Sequence, residues 1–289
     1  MAFCSTYPLD GPATPDVSVG SVGLPVTITC NTSGGSVAVT YPTVIIDGNG
    51  TSPKQWFAAN LVGANEFGLS FLSSGGLWNS TALAAAPAID SIGGTEFVAL
   101  NSNSSILCRS GFLYKPACVD AINTWLQSSV AIAQIGTGWR VATQTDFEDL
   151  EAAVAPTITI PVTTTNSNFK FRATALYNAT TNPDGWITTS PAEPLPVGVT
   201  LNYAGFNAYA SGVRQPGGAS PSQKGRLTAW WLGPSSPGGT DNKFGVNTKS
   251  VSIWYNKVSA GIGTMGLRYN TSTVLEVGTA VVSNDPLAG

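Results

Sequence analysis

The chain has 289 residues, 13 Lys+Arg against 16 Asp+Glu, a formal net charge of −3 and no histidine. The scattered basic residues give no electrostatic footprint for nucleic acid, and no run approaches the ~20 apolar residues of a membrane span. Without histidine, Ser-His-Asp and Cys-His nucleophiles, HExxH metalloproteases and His-ligated metal centres are all excluded.

In chain order, residues 1–40 read as an attachment arm or small β element. Pro8, Pro12, Pro15 and Pro25 punctuate it, and Val17-Ser18-Val19-Gly20 and Val26-Thr27-Ile28-Thr29 read as short alternating strands. Met1-Ala2-Phe3-Cys4 has neither the basic region nor the apolar core of a secretory peptide. Residues 62–107, low in charge and rich in Gly, Ser and Ala, read as a long decorated loop with short strands. Over residues 116–133, Cys118, Ile122, Trp125, Leu126 and Ser129 share one helical face, with Pro116 in the first turn.

A second helix starts at Thr143. Thr143 and Asp146 form a capping box, Phe147, Leu150 and Val154 recur at helical spacing, and Pro156 stops the run. Glu148, Asp149 and Glu151 are expected to face water, and with Asp146 they read as helix-start charge. Residues 157–165 alternate in β-branched side chains, residues 178–185 and 191–196 are loops, and residues 211–225 and 233–247 are polar insertions. Residues 228–232 and 250–255 read as strands, and residues 274–282 as a last β run free to return to the N-terminal region. Trp56, Trp125 and Trp139 read as core, whereas of the adjacent Trp230 and Trp231 only one is expected to face inward. Cys4, Cys30, Cys108 and Cys118 lack zinc spacing; pairing of near neighbours, Cys4–Cys30 and Cys108–Cys118, stands beside four buried thiols.

Four segments together resemble a known family. Gly138-Trp139-Arg140-Val141-Ala142-Thr143-Gln144-Thr145-Asp146-Phe147 resembles the Gly-Trp-Arg-x-Pro-Thr-x-x-Glu/Asp-Trp/Phe signature of C-type-lectin-like domains of the formylglycine-generating-enzyme and Fibrobacter major-paralogous type. Residues 41–48 with Gln55-Trp56-Phe57-Ala58-Ala59-Asn60-Leu61 are similar to its opening strand and Gln-x-Trp-Met-x-x-Asn-Leu element. Residues 204–214 are similar to its Gly-Phe-x-Ala-x-Pro-Gly-x-Arg strand pair, and Ala229-Trp230-Trp231-Leu232 and Gly266-Leu267-Arg268-Tyr269 to its last two strands. Ala142 and Ala210 stand where the family has Pro, and Tyr269-Asn270 where it has Cys-Val.

The resemblance implies an α+β, C-type-lectin-like fold: mostly antiparallel twisted sheets, two short helices and long loops. It divides the chain into an arm at 1–40, the lectin-like domain at 41–270 and a C-terminal strand or tail at 271–289. The late cysteine pair of formylglycine-generating enzymes is missing, since no cysteine follows Cys118. The calcium-dependent sugar motif is also missing: Glu193-Pro194 is followed by Leu195, and Trp78-Asn79-Ser80 comes far too early. No metal and no cofactor is therefore expected.

Carboxylate pairs of the kind that hydrolyse glycosides have Asp184, Glu193 and Asp241 as candidates, and more weakly Glu66, Asp90 and Glu96, all in settings where solvated surface charge is the default. The remaining chemistry is recognition by aromatic rings and neutral hydrogen bonds. It points to Asp241, Asn242, Trp254, Tyr255 and Asn256 as ligand-binding residues. A Ser/Thr/Asn/Gly-rich, nearly uncharged composition without a secretory peptide suits a phage structural protein, assembled in the host cytoplasm and exposed on the particle surface. The expected function is that of a non-enzymatic virion surface protein, a capsid decoration, head fibre or tail-tip component. Its expected partners are other virion structural proteins, further copies of itself (a trimer) and a host cell-surface glycan or receptor; nucleic acid and membrane insertion are not expected. The alternatives are a secreted or cell-surface lectin-like adhesin and a carboxylate-dependent glycan hydrolase.

Overall fold

A computed structural model describes residues 15–32, 35–61, 70–71, 96–99, 111–114, 118–154, 186, 202, 204–213, 227–234, 249–254, 268–271 and 278–286. The chain is α+β. Its strands are β1 (Gly20–Thr32), β2 (Gly35–Ile46), β3 (Lys54–Phe57), β4 (Ser70–Phe71), β5 (Glu96–Ala99), β6 (Phe112–Tyr114), β7 (Trp139–Val141), β8 (Leu227–Trp231), β9 (Lys249–Trp254), β10 (Arg268–Thr271), β11 (Gly278–Thr279) and β12 (Val281–Ser283). Among the described residues, three α-helices, α1 (Cys118–Leu126), α2 (Ser129–Ile135) and α3 (Gln144–Val154), lie between β6 and β8 in sequence. The strands form sheets of order β1-β2-β3-β12-β7, β10-β9-β8-β11 and β4-β5-β6, with all pairings antiparallel except β8–β11 and β4–β5.

The boundary expected at residue 40 falls inside β2. β1 and β2 pair antiparallel and share their sheet with β3, β12 and β7, because period-2 alternation continues across that point. Val26, Ile28, Val39 and Tyr41 are buried on one face; on the other, Thr27 and Thr40 pair their hydroxyls at 2.9 Å and Val44 and Ile46 are buried in a second apolar cluster. The two short strands expected in β1 are one strand carrying a bulge between Gly23 and Val26. Pro25, which has no N–H to give the ladder, is tolerated at such a bulge. The Leu24 carbonyl there accepts from Thr43 Oγ1 at 2.7 Å and Gln55 Nε2 at 3.2 Å, and Gln55 Nε2 also donates to Thr43 Oγ1. Gly23 is required, because a Cβ there would stand 2.3 Å from Thr43 Oγ1. On the outer edge of β1, the Thr29 N–H donates to Gln134 Oε1 of α2 at 2.9 Å.

The helix expected over 116–133 is two helices. Ser128 interrupts it: its N–H donates to the Trp125 carbonyl, and its hydroxyl accepts from the Ala131 N–H as the N-cap of α2. Cys118, Ile122, Trp125 and Leu126 are buried as expected, but Ser129 is exposed because α2 starts on a new axis. Gly136, at φ 82°, ends α2, and the Trp139 indole donates to the Ile135 carbonyl, satisfying one orphan acceptor of that terminus.

The C-terminal β run returns to the sheet of the N-terminal strands, the course its sequence left open. β12 lies between β3 and β7 with Val281 and Val282 fully buried, and the Ala142 N–H donates to the Ala280 carbonyl. Residues 204–213, expected as a strand pair, run irregularly beside β8 through one parallel bridge, Gly212 with Thr228. Asn202, Gly205 and Asn207 all adopt positive φ, which breaks a pleat.

β8 separates two apolar clusters. Trp231 joins Tyr41, Phe57, Tyr114, Ile122 and Trp139 on one side, and Trp230 joins Trp56, Phe147 and Phe206 on the other. Both tryptophans are buried, at 1% and 0% exposure, so the expectation of one inward face is corrected: this strand has no solvent face. Trp56, Trp125 and Trp139 are core residues, as expected.

Candidate functional site

Among the described residues, buried charged side chains gather around the start of α3. In the capping box, Thr143 Oγ1 accepts from the Asp146 N–H at 3.3 Å, and Asp146 Oδ2 accepts from the Thr143 N–H at 2.7 Å and its hydroxyl at 2.8 Å. The Asp146 carboxylate does not face water. Period-2 alternation puts Lys54 of β3 on the Trp56 face, toward α3, and its ammonium donates to Asp146 Oδ1 at 2.8 Å and to Asp149 Oδ2 at 2.5 Å. Arg140, in β7, forks onto both oxygens of Asp146 and reaches Asn284 Oδ1 at 3.0 Å, just past β12.

Burial pushes the Asp146 carboxyl up, but the hydrogen bonds and charge of Arg140, then Lys54 and the Thr143 N–H, outweigh it and hold the group well below the usual carboxylate range. Burial likewise pushes the Lys54 ammonium down, and its bonds to Asp146 and Asp149 outweigh that and hold it above its ordinary value. Both groups therefore stay charged across the neutral range, and neither is poised to exchange a proton with a substrate. Two cations and two carboxylates neutralise one another. Glu148 is exposed and accepts from Gln144 Nε2, whereas Asp149, expected to face water, is engaged by Lys54 with 41% of its side chain exposed.

Next to this cluster, Trp56, Phe147, Phe206 and Trp230 touch edge to face or stacked, with centroids 5.3 to 6.3 Å apart. The Trp230 indole donates to Asn60 Oδ1 at 2.5 Å, and the Trp231 indole to the Tyr114 carbonyl at 2.7 Å. Behind Arg140, a cleft of about 260 Å³ is lined by Leu126, Gln127, Ile132, Gly138, Trp139 and Arg140.

Of the expected ligand-binding residues, Asp241, Asn242, Tyr255 and Asn256 lie outside the described residues. Trp254 closes β9 opposite Leu227 of β8. Of the carboxylate candidates, Glu96 opens β5, and Asp184, Glu193, Asp241, Glu66 and Asp90 lie outside the described residues. Cys118 is buried at the start of α1 and Cys30 lies in β1, while Cys4 and Cys108 fall outside, so neither expected pairing is described. Among the described residues, no group of three or more Cys, Asp or Glu is placed to hold a metal ion. No described helix is long and apolar enough to cross a membrane.

Sequence reasoning missed the ion cluster. Its signals were present: Lys54 alternates with Trp56 along β3, and Arg140 precedes Asp146 by six residues in the Gly-Trp-Arg segment.

No protein family, curated protein or solved structure matches this chain.

Proposed function

We propose that the chain is a non-enzymatic virion surface protein, a capsid decoration, head fibre or tail-tip component. In this reading a C-type-lectin-like domain holds the particle to a host-surface glycan or receptor, and further copies and other virion proteins are its assembly partners. One observation carries the scaffold part. The segments that resemble the lectin-like family, spread from residue 55 to residue 232, meet in one place. Trp56 and Asn60 come from the first, Arg140, Asp146 and Phe147 from the second, Phe206 from the third and Trp230 from the fourth, and their side chains pack or bond to one another. A signature that builds a core, with its charges locked to one another, supports a scaffold for recognition over one for catalysis.

Attachment falls to Asp241, Asn242, Trp254, Tyr255 and Asn256, where flat rings sit in sequence among amide and carboxylate groups. The test is retention of the purified chain on immobilised host-envelope polysaccharide, alongside Trp254→Ala and Tyr255→Ala. Retention that is lost in both variants, with unchanged circular dichroism, is the expected result. Unchanged retention in both, or release of reducing ends from the polysaccharide, overturns the reading. Immuno-electron microscopy of intact particles tests the virion assignment directly.

A further inference from the structure

Among the described residues, Asn202 and Asn207 are the non-glycine positions with left-handed backbone, both at φ 54°. Their side chains are tied to one another. Asn202 Oδ1 accepts from the Asn207 N–H at 2.8 Å, and Asn202 Nδ2 donates to Asn207 Oδ1 at 2.8 Å. A main-chain N–H is a donor only, so it settles which end of the Asn202 amide is oxygen, and the second bond then settles the Asn207 amide. The atom left over is Asn207 Nδ2. It is a donor on a side chain of a residue 6% exposed, and it finds no acceptor on the protein.

Asn207 stands in the wall of a hollow that Asn60, Phe206, Ala208, Trp230 and Ala280 also line. We infer that this hollow is a binding site for one water molecule, held by the Asn207 amide. Size selects the ligand. About 180 Å³ of the hollow is free of atoms, but a water-sized sphere has almost no room to move inside it, which excludes an organic group. Charge selects it too. The free group is a donor, which repels a cation, and no charged side chain lines the hollow to balance an anion.

Buried cavities stay dry where their walls are apolar, and here two amides interrupt the rings and methyl groups. The water accepts from Asn207 Nδ2 and turns its own protons toward acceptors in the wall. The Asn60 amide oxygen, with two lone pairs, is one such acceptor and also takes the Trp230 indole. The water also has a structural part. Residues 204–213 reach β8 through one parallel bridge, and a bridging water gives this irregular stretch a second polar link, to Asn60 just beyond β3.

The test uses the isotope-labelled full chain. Water-selective NMR cross-relaxation is read at the Asn207 side-chain amide, and oxygen-17 relaxation dispersion counts long-lived waters. Ala280→Val and Ala208→Val, each of which adds methyl groups to the hollow, are measured in parallel. Wild type is expected to show a cross-peak from Asn207 Nδ2 to water with the sign of a bound molecule. Each folded filling variant is expected to lose that peak and to hold one long-lived water fewer. Absence of the peak in wild type overturns the proposal whether or not the variants fold. A peak and a count that persist unchanged in a folded filling variant overturn it as well, because the water then lies elsewhere.

Discussion

Replacing Asp146 with Asn tests the ion cluster most directly. The side chains of Lys54, Asp146 and Arg140 are 11%, 2% and 21% exposed, so solvent screens their charges little. Asn keeps the volume and one oxygen for the Thr143 N–H, which limits the loss of capping to under about 1 kcal/mol. What disappears is the anion between two cations. Arg140 loses its fork partner, and Lys54 keeps only Asp149. Removing one partner of a buried ion pair costs about 3–5 kcal/mol, because the charge left behind is uncompensated. Urea unfolding of Asp146→Asn should therefore show a loss of that size with an unchanged m-value.

In a Lys54→Met background the same replacement should cost less, with a coupling of about 0.5–3 kcal/mol. The acid limb supplies a second readout. Asp146 titrates in the folded chain well below the ~3.9 of an unfolded Asp, so its stabilisation is complete above that value and is lost as pH falls toward the folded pKa. Wild type should thus lose stability between about pH 4 and pH 2 that Asp146→Asn does not lose. A cost below about 1 kcal/mol for Asp146→Asn, with no change in the acid limb, would refute the view that this cluster holds the fold together.

Lys54 gives the opposite limb: its folded pKa lies above the unfolded value of ~10.4, so its contribution is present below that pH and is lost as pH rises through the folded pKa. Urea titrations should therefore show a decline in stability above about pH 10.4 in wild type that Lys54→Met lacks. Trp230→Ala and Trp231→Ala should each cost about 3–5 kcal/mol in equilibrium unfolding, and a loss confined to one of them would mean that β8 has a solvent face after all. Ser128→Ala removes the cap that separates α1 from α2 and should cost about 1 kcal/mol by thermal melting; no change would mean that the break is fixed elsewhere.

Helix starts and single strands were legible where local chemistry decides them. The Thr143–Asp146 box marks the start of α3 to the residue, and β8 and β9 lie within a residue or so of their alternating patterns. Ser128 was equally available as an N-cap, but the apolar face running from Cys118 through Leu126 suggested one continuous helix. What could not be read was anything set by which strands become neighbours. Nothing near Val281 indicates that it will sit between Trp139 and Trp56, and nothing near Trp230 indicates that a second layer covers its other face. The ion cluster was hidden for the same reason, since Lys54 is 92 residues from Asp146 in sequence.

That long-range origin gives the cluster a consequence an apolar core alone lacks. Lys54 comes from β3, Arg140 from β7, Asp146 from α3 and Asn284 from the residues after β12. β3 is buried on both faces, so its apolar side chains would meet apolar surroundings in either register. A slip of β3 by one residue would turn Lys54 to the opposite face, where the buried tryptophans and phenylalanines offer no anion, and would leave Asp146 with Arg140 alone. In a chain with only 10% charged residues, few alternative partners exist to rescue such a misregistered state. By this reasoning the cluster discriminates against a one-residue slip of β3, a role separate from any net gain over the unfolded chain.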